Sequence, residues 1–465
     1  MIYGNLFARS GDMPVTAGLI GTGAYGISLL AQTKFIPRLR IPVICDRDLK
    51  IARDACVSAG IPEDAIVFND GHDDLLHAIK QGKCAVVEDY SQLMNLPLDV
   101  IVECTGDPES GARHAELAIR SGKHVAMVTK ETDSVIGPLL HQLAIEYRVI
   151  YTPVDGDQHG LLIGLVSWAR NLGLEVVCGG KARPSDFIID EDTATVSNQN
   201  KSVSLVENEI TTIVKTHSDD TTRMIEARKA LLQDLPQIAP PDLCESVVAA
   251  NATGLLPDTP TLRAPLVRTV EVPEVLCPKE EGGILNRKGA IEVITCLRRA
   301  DEAGLGGGVF IVISCKNGQS WKFLKAKGLL TNRRETCGVI YRPYHLLGVE
   351  TPISVLCAGL LEISTGSLSY EPKVDLVAKT KRDLKAGETI KIDHGSKGDL
   401  IEPLILSCSS VKNGNPIPFY MAAGNRVKKN VSAGTVLTCA MIEEPVDARL
   451  WELRREQDKT FGLGK

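Results

Sequence analysis

The residues able to do chemistry fall in a few short stretches. Gly21, Gly23 and Gly26 stand in G-x-G-x-x-G spacing, with Thr22 and Tyr25 among them. Such a loop offers backbone N–H groups and a helix N-terminus to a phosphate. Gly21 would allow the tight turn, Gly23 the approach of a pyrophosphate, and Gly26 the packing of helix on strand. Asp46 lies about 20 residues beyond Gly26, where an acid hydrogen-bonds an adenosine ribose. Arg47 follows at once, and an arginine there accepts a 2′-phosphate, so NADP and NAD both stand, with Arg47 favouring NADP.

Further on, Lys130 and Glu131 follow a strand-like run, Asp155 and Asp157 stand two apart beside Gln158, and Lys181 follows Gly179-Gly180. A lysine can pass a proton to or from the oxygen that hydride transfer changes, and desolvation near a cationic nicotinamide would lower its pKa for that task. Asp155 and Asp157 would share one side of an extended chain. With Gln158 or Glu245 they could hold Mg2+ or Mn2+, which would polarise a ketone and its neighbouring hydroxyl. Asp-Gly steps equally favour turn capping, and both readings stand. Lys181 reads as a carboxylate or phosphate anchor or as a solvated lysine. His345 and Glu350 flank a loop, where capping or core roles fit as well as chemistry.

These residues need elements to place them. Val15–Ile20 reads as a buried strand running into the glycine loop, and Ile41–Asp46 as the next strand. A helix over Leu49–Ala59 follows. An insertion over 60–97 then holds a helix (Asp73–Gln81), a strand (Cys84–Val87) and a short helix (Tyr90–Leu96). Asp99–Gly106 is a strand ending in Thr105-Gly106, and Lys123–Thr129 another, delivering Lys130 and Glu131 to the sheet's carboxyl edge, where Rossmann ligands bind. Helix Gly137–Tyr147 and strand Val149–Pro153 complete this α/β unit.

Beyond it, Thr193–Val206 reads as a strand pair or a mobile loop, Arg223–Leu232 as a helix, and Pro236–Pro241 as a break before helix Glu245–Thr253. Short strands at Leu266–Val272, Ala290–Cys296, Val309–Cys315, Trp321–Leu324 and Cys337–Tyr341 suggest a mostly antiparallel sheet in an α+β unit. Helix Thr351–Glu362 would return to the first unit. Residues 373–445 read as all-β. The tail is a charged helix candidate with Trp451 and Leu453 free to dock.

At 465 residues the chain has room for about two to four domains, and 44% hydrophobic with 24% charged residues is ordinary for a globular protein. A net charge of −6 gives no basic surface for nucleic acid or anionic membrane. No apolar run approaches the roughly 18 residues of a membrane span, and the N-terminus does not read as a secretory signal. The 13 cysteines show no metal-ligand spacing and read as reduced thiols of a cytoplasmic protein.

Several motifs carry a resemblance. The strand ending in Thr105-Gly106, then Gly122-Lys-His-Val and Thr129-Lys130, is similar to homoserine dehydrogenase and its relatives. Val154-Asp-Gly-Asp-Gln-His-Gly160, Gly173–Lys181, Ala249-Ala-Asn-Ala-Thr-Gly-Leu255 and Tyr341-Arg-Pro-Tyr-His-Leu346 look like the deoxyxylulose-phosphate reductoisomerase-like oxidoreductases. These relatives carry a homoserine-dehydrogenase-like cofactor domain and a C-terminal SAF domain. The resemblance implies a lysine, here Lys130, between nicotinamide and substrate. Two departures stand out: His159 where relatives usually have proline, and Ala239–Glu245 where many carry Gly-Thr-Lys. They point away from deoxyxylulose phosphate while leaving the reaction class.

The expected fold is thus a Rossmann domain (15–153), an α+β substrate domain (154–350) and a small all-β SAF domain (373–445). An extension (1–14), a returning helix and linker (351–372) and a tail (446–465) surround them. The expected function is NAD(P)-dependent oxidoreduction of a small polyhydroxylated carbonyl compound or sugar acid, phosphorylated or not, with or without isomerisation. A homoserine-dehydrogenase-type activity and a non-catalytic dinucleotide- or carbohydrate-binding protein are the alternatives. The expected catalytic residues are Lys130, Asp157 and Lys181. The expected cofactor contacts are Gly21, Thr22, Gly23, Tyr25, Gly26, Asp46, Arg47, Thr105, Gly106, Lys130 and Glu131. Asp155, Asp157 and Glu245 are the metal candidates. The expected partner is a small-molecule substrate, and a homodimer would suit the relatives.

Overall fold

The computed structural model describes residues 2–68, 71–215, 220–391 and 400–464. Its first sheet has seven strands: β1 Val15–Ile20, β2 Leu39–Cys45, β3 Ile66–Phe68, β4 Cys84–Val87, β5 Val100–Glu103, β6 His124–Met127 and β7 Tyr151–Pro153. The order is β3-β4-β2-β1-β5-β6-β7, with every pairing parallel. Both faces are covered, so β4 and β5 are buried at every position, as continuous apolar strands of a parallel sheet should be. The insertion supplies β3 and β4, which extend the sheet beyond β2. Chain order reverses at β1, between β2 and β5, and this is where an open α/β sheet leaves a crevice at its carboxyl edge.

The helix after β6 differs from expectation. It spans Lys130–Glu146, with Pro138 inside it, rather than starting at Gly137. Gly137-Pro138 mimics a helix start, since proline suits a first turn, but here the helix continues through it. Lys130 is therefore the first helical residue, after Thr129, and not a strand end.

The second sheet is mixed rather than mostly antiparallel. Its strands are β8 Glu175–Ala182, β9 Phe187–Asp190, β10 Thr195–Asn198, β11 Lys201–Ser204, β12 Leu256–Pro257, β13 Leu266–Val267, β14 Ala290–Arg299, β15 Val309–Ser314, β16 Leu330–Thr331 and β17 Gly338–Arg342. The long β14 runs parallel to β8 and β9, whereas β15 is antiparallel to β8 and β17. A parallel pair needs a long crossover, and helices Thr221–Leu231 and Pro240–Thr253 lie between β9 and β14 in the chain. Thr193–Val206 does contain a strand pair, β10 and β11. Trp321–Leu324 is no strand; it lies inside helix Gly318–Ala326, capped by Asn317. A four-residue apolar run does not distinguish helix from strand by period.

A third, two-stranded sheet pairs β18 Val374–Thr380 with β19 Ile401–Ser407. Isolated bridges such as Leu384 to Val431 and Val427 to Ile442 extend this region. Helix Pro352–Leu361 buries Val355, Leu356 and Ala358 with Val15, Ala17 and Val102 of the parallel sheet. The C-terminal helix Arg449–Thr460 buries Trp451 and Leu453. All 13 cysteines are free thiols. Among the described residues, no helix is long and apolar enough to cross a membrane.

Candidate active site

Gly21 follows β1 at φ +95°, and a Cβ there would lie 2.8 Å from the Cys104 carbonyl beyond β5. At Gly26 a Cβ would sit 2.5 Å from Gly21 O. Gly23 differs: nothing lies within 4 Å of its Cβ position. The outer two glycines thus let chain pack on chain, and the middle one faces open space. That space is a cleft of about 480 Å³ bordered by Gly21–Gly23, Asp46–Asp48, Tyr90, Thr105 and His114.

Asp46 Oδ2 accepts from Thr22 N at 2.9 Å and Thr22 Oγ1 at 2.6 Å, and Oδ1 from Asp48 N at 3.1 Å. It braces the glycine loop while lining the cleft. Arg47 is exposed on the rim. Thr105 Oγ1 donates to Glu103 at 2.6 Å, and Gly106 N donates to Thr129 Oγ1 at 3.0 Å, tying the ends of β5 and β6. Buried Glu103 also meets His114 Nδ1 at 3.2 Å, and the Tyr90 and His114 rings lie 4.3 Å apart. Tyr90 and His114 carry no motif that would single them out in the sequence.

A second cleft, about 370 Å³, shares Gly23, Cys104 and Thr105 with the first. Its wall includes Tyr25, Lys130, Glu131, Asp157, Lys181, Asp242, Glu245 and His345. Four segments bring these together. Lys130 opens its helix below β6. Asp157 caps helix Gln158–Asn171, accepting Gln158 N at 2.7 Å. Lys181 is near the end of β8. Helix Pro240–Thr253 begins at two prolines, whose missing N–H groups are harmless in a first turn, and places Asp242 and Glu245 three residues apart on one face.

The charges interlock. Lys130 Nζ donates to Glu245 Oε1 and, at 3.3 Å, to Asp157 Oδ2. Lys181 Nζ donates to Glu245 Oε2 and lies 3.5 Å from Asp242 Oδ1. Arg183 Nε donates to Asp242 Oδ2 at 3.1 Å. Glu245 thus bridges both lysines. The Lys130 side chain is 21% exposed and reaches the cleft; Lys181 at 2% does not stand free. His159 is buried behind Asp157, Nδ1 to Oδ1 4.0 Å, and neither ring nitrogen has a hydrogen-bond partner.

These pairings decide the electrostatics. Burial pulls the Lys130 ammonium down, but Asp157 and Glu245 outweigh it and hold the pKa well above the ordinary lysine value. The lowered lysine pKa expected from sequence is therefore reversed in the free protein. Lys181 is likewise raised, burial being overcome by Glu245 and Asp242. Asp157 falls below the usual carboxylate range: burial opposes this, but Lys130, His159 and Lys181 prevail. Burial pushes the Glu131 carboxyl up to about 7.

The proposed metal set does not assemble. Asp155 is not on the cleft wall that carries Asp157 and Glu245, and burial with the nearby Glu350 pushes it up to about 7, offset by Arg342. Lys130 takes the place between Asp157 and Glu245 that a cation would need. Gln158 Nε2 is committed to Ala182 O and Gly308 O at 2.7 and 2.9 Å. Among the described residues, no three acids, histidines or cysteines are grouped to hold a metal ion. Lys181, read as a possible anion anchor, is already neutralised by its two carboxylates. Glu350 pairs with Arg342 at 2.8 Å, and His345 Nδ1 meets Gly307 O at 2.5 Å on the cleft wall. Asp242 and Arg183 were missed; the i,i+3 spacing of Asp242 and Glu245 was the available signal. Tyr25, read as a cofactor contact, shares a 2.6 Å hydrogen bond with Thr351 beside this cleft.

The chain is an enzyme. Residues 241–351, which include Asp242, Glu245 and His345, match the family model described as oxidoreductase DRL, catalytic domain. No curated protein matches the sequence. Among solved structures, the chain is similar to GenD2 of gentamicin A biosynthesis in complex with NAD, at 16% identity over 39% of this chain and 47% of that one, TM-score 0.26. It is similar to 1-deoxy-D-xylulose 5-phosphate reductoisomerase of Zymomonas mobilis with NADPH, at 19% identity over 37% and 46%, TM-score 0.27. An oxidoreductase of Agrobacterium radiobacter with NAD+, L-tartaric acid and magnesium gives 16% over 38% and 46%, TM-score 0.27. The match spans about half the length of each.

Proposed function

We propose that this enzyme is an NAD(P)-dependent oxidoreductase acting on a small polyhydroxylated carbonyl compound or sugar acid. The observation that carries the reading is the place of Lys130, on the wall where the cleft beside the glycine loop meets the charged cluster. The residues present fit a dinucleotide. Gly23 leaves open space at the start of helix Ala24–Thr33, and the cleft runs from Asp46 and Arg47 to Thr105. Gly21–Gly23 would hold the phosphates, Asp46 the ribose and Arg47 an NADP 2′-phosphate.

When bound, the nicotinamide supplies or accepts the hydride. Lys130 manages the proton. In reduction its ammonium gives a proton to the carbonyl oxygen as the carbonyl carbon gains the hydride. In oxidation it must first lose that proton, against the hold of Asp157 and Glu245. The cluster wall sets Glu131, Asp157, Asp242 and Glu245 against Lys130 and Lys181. Coupled isomerisation, and the assignment of residues 373–445 as a SAF unit, rest on the sequence resemblance.

Calorimetric titration with NADP and NAD tests the cofactor half of this reading, with Gly23→Ala as the control. Wild type binds at least one of them, and Gly23→Ala weakens binding by about tenfold or more, worth about 1.4 kcal/mol. Failure of wild type to bind either nucleotide would overturn the proposal.

A further inference from the structure

Helix Lys130–Glu146 contains Pro138. Proline lacks an N–H, and its ring crowds the carbonyl four residues earlier, here Ser134, so that carbonyl loses its helical partner. One residue on, Leu139 N–H and Val135 C=O are the donor and acceptor that an unbroken helix pairs. A single side chain from the far end of the sequence engages both. Gln457 Oε1 accepts from Leu139 N at 3.1 Å, and Gln457 Nε2 donates to Val135 O at 3.0 Å. Gln457 is 1% exposed.

The helix that carries Gln457 is itself fastened. Arg454 is fully buried and grips both oxygens of Asp375 on β18, at 2.7 and 2.8 Å. Arg449 Nε and Nη2 donate to Glu116, each at 2.6 Å. Between Pro138 and Lys130 lie about two helical turns, roughly 12 Å. A tilt of about 5° at Pro138 would carry Lys130 through about 1 Å, enough to separate it from a reacting oxygen.

We infer that Gln457 is a positioning residue for Lys130. By bonding Leu139 N–H and Val135 C=O beside Pro138 it fixes the angle at which the first two turns deliver the lysine to Glu245 and Asp157. The inference rests on the role given to Lys130 above. It makes the C-terminal helix part of the active site's support, though Gln457 touches no reacting atom.

The test uses the full chain, with acetic anhydride as the probe of lysine reactivity and mass spectrometry as the readout. Lys288, paired with Glu175 on the second sheet, is the internal standard. Gln457→Met removes both hydrogen bonds at similar volume; Gln457→Glu keeps an acceptor for Leu139 N–H. The expected result is that Lys130 in Gln457→Met reacts about tenfold faster at fixed pH, equivalent to a labelling midpoint about one pH unit lower. Gln457→Glu should change less, and Lys288 not at all. An unchanged Lys130 profile in a folded Gln457→Met protein would overturn the inference, even with a lowered melting temperature. Should that variant not fold, an unchanged Lys130 profile in Gln457→Glu overturns it equally. NADP binding by wild type is scored separately. Its loss would undo the functional proposal, while Lys130 reactivity would still report whether Gln457 sets the lysine's pose.

Discussion

The two clefts that meet at Gly23 are built in opposite ways. The one beside the glycine loop comes largely from nearby sequence, residues 20–51, and depends on backbone groups and on side chains that are missing. Its main bonded acid, Asp46, is braced by Thr22 and Asp48 and keeps acceptor capacity toward the cleft. The other cleft gathers Lys130, Asp157, Lys181, Asp242 and Glu245 from four distant segments and depends on buried charge. The fold around the first should therefore tolerate changes of charge and resist added volume at Gly21 and Gly26. The second should do the reverse.

Glu245→Ala breaks this contrast most severely. It removes the carboxylate shared by two buried lysines, and breaking a buried pair costs on the order of 3–5 kcal/mol. Chemical denaturation should show this loss, with Glu245→Gln losing less because it keeps hydrogen-bonding atoms. A loss below about 1 kcal/mol would mean the cluster is as weakly coupled as a surface ion pair.

Titration sharpens the same comparison. Glu131, Asp133, Asp155 and Glu292 are raised to about 7, mainly by burial, and none of these four lines the glycine-loop cleft. Their unfolded forms ionise near 4, so the folded protein binds more protons between about 4 and 7, and stability falls as pH rises through that window. The raised Lys130 and Lys181 contribute stability that is present below the ordinary lysine value and lost only above it. Depressed Asp157 contributes stability that is lost only below the ordinary carboxylate range. The melting temperature should therefore be higher at pH 5 than at pH 8. A flat or rising curve over that interval would contradict the burial of these four carboxyls.

Gly23→Ala is the mildest change to the fold and the most telling for the first cleft. Open space around its Cβ position predicts an unchanged melting temperature alongside the weakened nucleotide binding. Equal loss of both would show that Gly23 is structural like its two neighbours.

The same contrast explains what could be read from the sequence. The glycine loop, Asp46 and the strands of the parallel sheet were legible because their cause is local: spacing, apolar runs and turns. The charged cluster was only half legible. Lys130, Asp157, Lys181 and Glu245 could be nominated by residue type, but their pairing could not, because a bridging carboxylate is a long-range fact. That pairing reversed the expected lysine pKa and took the place assigned to a cation. Asp155 was grouped with Asp157 by period-two spacing, yet Asp157 is a helix cap and the chain turns at Gly156, φ +101°. Pro138 hid the true start of the Lys130 helix, and no local signal could show that Gln457, more than 300 residues away, bonds the turn that contains it.

The most direct test of the role of Lys130 is the rate of NAD(P)H absorbance change across a panel of polyhydroxylated ketones and sugar acids, comparing wild type with Lys130→Met. Wild type should turn over at least one member, and Lys130→Met should lose about 10²–10⁴-fold in rate while keeping nucleotide affinity. Turnover that survives in Lys130→Met at the wild-type rate would contradict the placement of this lysine at the reacting oxygen.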